Sequence, residues 1–238
     1  MVVVESECNC HALLAVLGLM LRVGRLMDTR KTMIESGLVS RGISDERVLD
    51  AFRRVAREEF VSPDQAAMAY QDRPLPIGLG QTISQPYVVA LTAEAMELKS
   101  DDRVLEIGSG TGYAAAILSK LVREVFTVER IQFLADQARE RLSRLGYHNV
   151  QVHCGDGTLG WPRHAPYDAI AVAACGPTIP KALLAQLAPQ GRLVIPVGSV
   201  PSEQVLMRIV REDGDVFREE VLCPVKFVPL IGEQGFPE

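Results

Sequence analysis

One stretch limits what this chain can fold into more than any other: Arg103-Val-Leu-Glu-Ile-Gly-Ser-Gly-Thr-Gly-Tyr113. A short apolar run, Val104 to Ile107, carries a single acid at Glu106. It stops at Gly108, Gly110 and Gly112, and Ala114 to Leu121 then reads as a helix. That order is a strand, a tight turn and a helix start. Glycine takes backbone angles that a Cβ forbids, so such a turn can press close to a ligand, and the new helix offers unpaired N–H groups at its positive end. The turn is expected to cradle a cofactor.

Spacing narrows which cofactor. A dinucleotide fingerprint is G-x-G-x-x-G, but here the third glycine is Gly112 and Tyr113 fills the dinucleotide position, which argues against NAD. Beyond the next apolar run, Val125 to Val128, stands Glu129, where an acid at a strand end would grip two ribose hydroxyls. A nucleoside ligand fits. Strand-like and helix-like runs continue in alternation through Val150 to His153, Ile170 to Val172, Pro180 to Leu187 and Leu193 to Val197. Val205 to Val210, Val216 to Val221 and Val225 to Leu230 are then β-rich and separated by turns. The expected fold class is α/β: a Rossmann-like, mostly parallel sheet with antiparallel C-terminal strands and an N-terminal helical extension.

The 238 residues, 47% hydrophobic and 23% charged, suffice for one α/β domain with additions. We expect an uncertain extension over 1–26, then one domain over 27–238, with a helical, substrate-side segment over 27–100 and the core over 101–238. Ala12 to Leu21 is apolar, yet too short to span a bilayer, and Glu5 and Glu7 precede it instead of positive charge. An appended helix or an early start, with Met27 or Met33 as the alternative, is expected. A net charge of -5 provides no basic field for nucleic acid. Five scattered cysteines fit reduced thiols. The expectation is a cytoplasmic monomer with neither nucleic-acid nor membrane partners. Cys8-Asn-Cys10-His11 lacks a second ligand pair, so no metal is expected.

Residues 27–60 read as two helices. Ser44 is the expected cap of the second, and Val48, Phe52, Val55 and Phe60 form its apolar face. Pro63, Pro74 and Pro76 break the pattern, so 61–83 is expected to be irregular. Ser84 stands just ahead of Pro86 at a helix mouth, where it serves either as a cap or as a functional hydroxyl. His11, His148, His153 and His164 read as surface or strand-end residues, Cys154 as a small buried packing residue, and Asp168 as structural or near the cofactor.

The pattern E-x-G-x-G-x-G, an acid after the next strand and Gly155-Asp156-Gly157 after the one beyond resembles the class I methyltransferases. That resemblance implies S-adenosyl-L-methionine as cofactor, with Asp156 facing the adenine amino group. Over about residues 27–232 the chain further resembles the protein-L-isoaspartate O-methyltransferases. The residues that carry this are Arg41-Gly-Ile43, Arg57-Glu-Glu-Phe-Val61, Leu75-Pro-Ile-Gly78, Gly80-Gln-Thr-Ile-Ser-Gln-Pro86, Val128-Glu-Arg130, Pro166-Tyr-Asp168, Gly191-Arg-Leu-Val-Ile-Pro-Val-Gly198 and Phe227-Val-Pro-Leu230. The resemblance implies isoaspartyl-containing proteins and peptides as partners and Ser84 as the active-site serine. It puts cofactor contacts at Thr82, Ile83, Glu106, Gly108, Ser109, Gly110, Gly112, Glu129, Arg130, Asp156 and Gly157, and has the Phe227 to Leu230 segment close over the aspartyl group. Ala56, Ser62 and Ala173-Ala-Cys-Gly176 depart from the family pattern, the last bringing Cys175 close to the expected substrate.

The chemistry agrees. A carboxylate with a reference pKa near 4 is ionised at neutral pH, so accepting a methyl group requires no general base. The enzyme's task is positioning, which can contribute roughly 7–11 kcal/mol. Ser84 would orient the acid. The other readings are a class I methyltransferase acting on another carboxylate or on RNA, and a nucleoside-binding module without turnover.

Overall fold

The computed structural model describes residues 26–200, 202–214 and 216–237. The expected extension and the Cys8-Asn-Cys10-His11 run lie outside them, apart from residue 26. Helix α1, residues 26–32, continues as a π-helical turn, Met33–Leu38. Helix α2, Glu46–Arg54, is capped by the Asp45 side chain, which accepts from the N–H groups of Arg47 and Val48. Ser44 is therefore not the cap, because its own N–H and hydroxyl donate to the Glu94 carboxylate instead. Phe60 leaves the α2 face as well: the helix stops at Arg54 and Phe60 closes a separate 3-10 turn, Arg57–Phe60.

The segment expected to be irregular is more ordered than its prolines imply. It holds a 3-10 turn, Pro63–Met68, and an antiparallel hairpin of β1 (Leu75–Gly78) and β2 (Gln81–Ile83). Three successive left-handed residues, Gly78, Leu79 and Gly80, make the reversal. Proline in β1 is tolerated because a two-stranded ribbon has open edges. Helix α3, Pro86–Ala95, follows directly.

The main sheet has the order β5-β4-β3-β6-β7-β8-β9. Its strands are β3 (Arg103–Ile107), β4 (Glu124–Glu129), β5 (Val150–Cys154), β6 (Tyr167–Val172), β7 (Leu187–Val197), β8 (Val205–Arg211) and β9 (Phe217–Pro224). Helices α4 (Tyr113–Leu118), α5 (Gln132–Arg144) and α6 (Lys181–Ala185) lie along the chain between them. The sheet is parallel from β5 through β7 and antiparallel at β7-β8-β9. The expected mostly parallel sheet with an antiparallel end is what forms. Strands β3, β4 and β6 are buried along nearly their whole length, as parallel strands covered on both faces must be. Val225 to Leu230 does not become a further strand; it runs as an extended strap joined to Cys175 by one bridge at Pro229.

The order of the sheet also places a site. From β3 the chain moves outward to β4 and β5, then returns to the other side of β3 to lay down β6 and β7. At such a reversal the connections leave in opposite directions and open a crevice at the carboxyl ends of the strands. The glycine turn after β3 sits at that crevice.

Candidate active site

The turn is held by backbone donors. Gly108 N–H donates to Val128 O at 2.8 Å, and Gly110 N–H donates to Glu129 Oε2 at 2.9 Å. Glu129 Oε1 accepts from Ile131 N–H at 3.0 Å, so this acid stitches the turn to the end of β4. Gly112 opens α4 with φ 85°, and a Cβ there would stand 3.0 Å from Leu142 Cδ1. The left-handed backbone favours glycine here, and the approach of α5 leaves little room for a side chain.

Two predicted contacts brace the turn from behind. Glu106 and Thr127 are cross-strand partners, and the Thr127 hydroxyl donates to Glu106 Oε2 at 2.5 Å while sharing a hydrogen bond with Ser109 Oγ at 2.6 Å. Burial pushes the Glu106 carboxyl up to about 8, aided by the Glu129 charge and opposed by the Thr127 hydroxyl and the Ala115 backbone N–H. Glu106 Oε1 has no partner among the described residues.

In front of the turn, Gly108, Glu129, Arg130, Gly157, Ala173 and Leu230 line a cleft of about 100 Å³. These residues fit a nucleoside. The Glu129 carboxylate has about four acceptor positions, two of them met by backbone N–H groups, which leaves acceptors for vicinal hydroxyls. A Cβ on Gly157 would collide with Ile107 Cγ2, so only glycine keeps that wall flat. Asp156 is further committed: Oδ1 accepts from Thr158 N–H and hydroxyl at 2.8 and 2.7 Å, and Oδ2 from Glu233 N–H at 2.8 Å.

Ser84 stands between β2 and α3. Gln85 is the N-cap residue of α3 and provides no capping side chain, so Ser84 is not the helix cap. Ser84 and Thr82 line a second cleft, about 500 Å³, which meets the first at Ala173 and Val228. Ile83 turns its side chain into the core, and Gly110 faces the far side of the turn. Below Ser84 a cavity of about 40 Å³ runs down to Glu106.

Two residues that sequence reasoning gave no role position this serine. Arg57 is wholly buried, and its guanidinium donates to Ala69 O at 2.5 Å, Arg73 O at 3.4 Å and Ser84 O at 2.8 Å. Burial pulls its pKa down, with Tyr113, Asp72 and Tyr70 working in the other direction. Asp72 accepts from Tyr87 N–H at 2.9 Å and from Gln85 Nε2 and Arg41 Nη1, both at 2.8 Å, and so satisfies the first turn of α3 from outside the helix. The Arg41 guanidinium lies over the Tyr87 ring, 3.4 Å from its centroid. No local pattern announces either pairing, since each partner lies 12 or more residues away.

With that geometry in view, the comparisons with known proteins are specific. The family model for protein-L-isoaspartate(D-aspartate) O-methyltransferase matches residues 28–235. The chain belongs to this family. It is 58% identical over 207 residues to protein-L-isoaspartate O-methyltransferase 2 of Pelobacter propionicus, covering 87% of this chain and 92% of the relative. With protein-L-isoaspartate O-methyltransferase 1 of Geotalea uraniireducens the identity is 55% over 214 residues, covering 90% and 98%. A solved protein-L-isoaspartate O-methyltransferase superposes with TM-score 0.78 at 31% identity, over 87% of this chain and 67% of that one. A Plasmodium falciparum beta-aspartate methyltransferase in complex with S-adenosyl-L-homocysteine superposes with TM-score 0.72 at 26% identity, over 85% and 98%.

In this family member the C-terminal strap roofs both clefts. Cys175 N–H donates to Val228 O at 2.8 Å and Leu230 N–H donates back to Cys175 O at 2.7 Å. The Cys175 thiol itself is fully buried and lines neither cleft, so the departure at Ala173 to Gly176 acts through backbone pairing and packing. Gln204, which sequence reasoning also missed, accepts from Phe227 N–H at 2.6 Å and donates to Phe227 O at 3.2 Å. Asp168 is structural, accepting from Arg103 N–H at 2.8 Å at the opposite end of the sheet. Cys154 is half-buried, with Sγ 3.7 Å from Arg130 O. His153 is an exposed residue near the end of β5, as expected, and stacks on Trp161 at 4.7 Å, while the half-buried His164 stacks on Phe126 at 4.5 Å.

Proposed function

We propose that the chain transfers a methyl group from S-adenosyl-L-methionine to the free α-carboxyl of L-isoaspartyl residues in damaged polypeptides. The ester then closes to a succinimide that can reopen as aspartate. The observation that carries this reading is the meeting of two clefts at Ala173 and Val228, one lined by Glu129 and Gly157, the other by Ser84 and Thr82.

When bound, the cofactor supplies an electrophilic sulfonium methyl. Glu129, with Arg130 beside it, would hold the ribose, and Gly157 and the Asp156 segment would hold the adenine. Gly108 and the backbone of Thr82 and Ile83 would flank the remainder. The Ser84 hydroxyl is without a protein partner among the described residues and is free to donate to the substrate carboxylate. Donation to one oxygen leaves the other as nucleophile, and the anion needs no base. The fully buried Arg57 fixes the Ser84 backbone and adds positive charge behind it. The strap, from Phe227 to Leu230, excludes water from the meeting point.

Three free cysteines among the described residues suit a reducing compartment, and we place a monomeric enzyme in the cytoplasm. Among the described residues no helix is long and apolar enough to cross a membrane. The deciding assay offers labelled S-adenosyl-L-methionine with two peptides that differ only in isoaspartate or aspartate at one position. Label should enter the isoaspartyl peptide alone, and equal labelling of both would overturn the assignment.

A further inference from the structure

Across the β1-β2 hairpin from Ser84 lies a groove of about 600 Å³ that the reaction does not use. Its floor is the outer side of the glycine turn at Thr111, one wall is α5 through Phe133 and Arg141, and the other is Ile77 with Gln65. Arg141 donates one N–H to Thr111 O at 2.9 Å, and among the described residues no carboxylate lies within ion-pair distance of it. Its helix neighbours are satisfied: Arg139 pairs with Asp136 and Arg144 with Glu59. The charges that act on Arg141 are Arg144, against it, and Glu140 and Glu59, for it. Thr111 is 8% exposed and its hydroxyl has no partner among the described residues, and neither has Gln65 Oε1. Phe133, in the first turn of α5, is 61% exposed, and that helix has no capping side chain.

A guanidinium in ion-pair contact with no carboxylate among the described residues, beside an aromatic ring left in water, complements a carboxylate carried on an apolar backbone. We propose that this groove docks an acidic side chain of the polypeptide substrate, several positions away from the residue seated beside Ser84. A polypeptide fits better than a small anion because one stretch of chain lines both places, with Pro74, just ahead of β1, in the Ser84 cleft and Pro76, within the β1 arm, in the groove. The four-residue arm spans about 13 Å, which an extended chain crosses in about four residues. The proposal rests on the methyl-transfer reading, and its test separates the two.

Two isoaspartyl peptides are compared, one carrying glutamate and one glutamine about four residues from the isoaspartate, on either side. The glutamate peptide should show a KM lower by roughly tenfold, the scale of one charge-assisted hydrogen bond, at equal kcat. Arg141→Gln should remove the difference, and the exposed, fold-neutral Phe133→Ser should raise KM for both. A KM equal for the two peptides in the unmodified protein overturns the proposal. If neither peptide is methylated, the methyl-transfer reading fails, and the groove is read by NMR titration with the glutamate peptide bearing ordinary aspartate. Shifts at Thr111 and Phe133 that vanish in Arg141→Gln support docking. Their absence, or equal shifts with inorganic phosphate alone, overturns it.

Discussion

The two halves of the site are built on different plans. On the cofactor side the groups that matter are near neighbours in the sheet: Glu129 binds Gly110 and Ile131, and Glu106 binds its cross-strand partner Thr127. On the substrate side Ser84 is held by Arg57, α3 is satisfied by Asp72, and Phe227 is gripped by Gln204. The first plan buries acids where strand ends and a glycine turn supply donors. The second spends side chains on backbone carbonyls and N–H groups brought from elsewhere. A site built from adjacent strands is rigid by construction, whereas one built from separate segments depends on each long-range clamp.

The contrast can be broken at either half. The largest effect is expected at Glu106, which carries its proton up to about 8 in the fold but releases it near 4.5 when unfolded. Its contribution to stability is full below the lower value and is lost as pH rises through the higher one. Melting temperatures at pH 5 and pH 9 should therefore diverge more in the unmodified protein than in Glu106→Gln. Identical losses would show that Glu106 is ionised in the folded state.

At Arg57, substitution by methionine orphans three carbonyls and should cost about 3 kcal/mol or more in urea unfolding, with Arg57→Lys recovering part of it. Unchanged stability would mean that the clamp carries no weight. Ser84→Ala should lower kcat roughly 100-fold, the scale of one positioned donor, and leave cofactor affinity unchanged by calorimetry. Lost affinity for S-adenosyl-L-methionine would move Ser84 to the other half of the site. The smallest effect belongs to Glu129→Gln, where weaker acceptance should reduce cofactor affinity about tenfold with kcat at saturation intact. A collapse of kcat instead would show that the two halves are not separable.

Much of the cofactor half is legible in the chain because its determinants are local. Val104 to Tyr113 spells strand, turn and helix within ten residues, and glycine at 112 answers a left-handed backbone and the close approach of Leu142. The substrate half is less so. Three prolines mask the hairpin that carries Thr82, since nothing in the sequence shows that its edges are left free of a wider sheet. The strap reads as a strand from composition, yet it is held by one β-bridge to Cys175 and by hydrogen bonds to Gln204 and joins no ladder, because β9 already closes that edge of the sheet.

What the sequence determined on its own was the α/β alternation, the glycine turn after β3, an acid at the end of β4 and the family pattern around Ser84. Only the tertiary structure decided which side chains face a ligand and which serve the backbone: Ser109 and Ile83 turn inward, Asp156 is committed to the strap, and Arg57, Asp72 and Gln204 prove to be clamps. The physical reason is one of range. Strand and turn preferences are written in neighbouring residues, but a buried guanidinium finds its carbonyls, and a carboxylate its donors, only after distant segments have packed together.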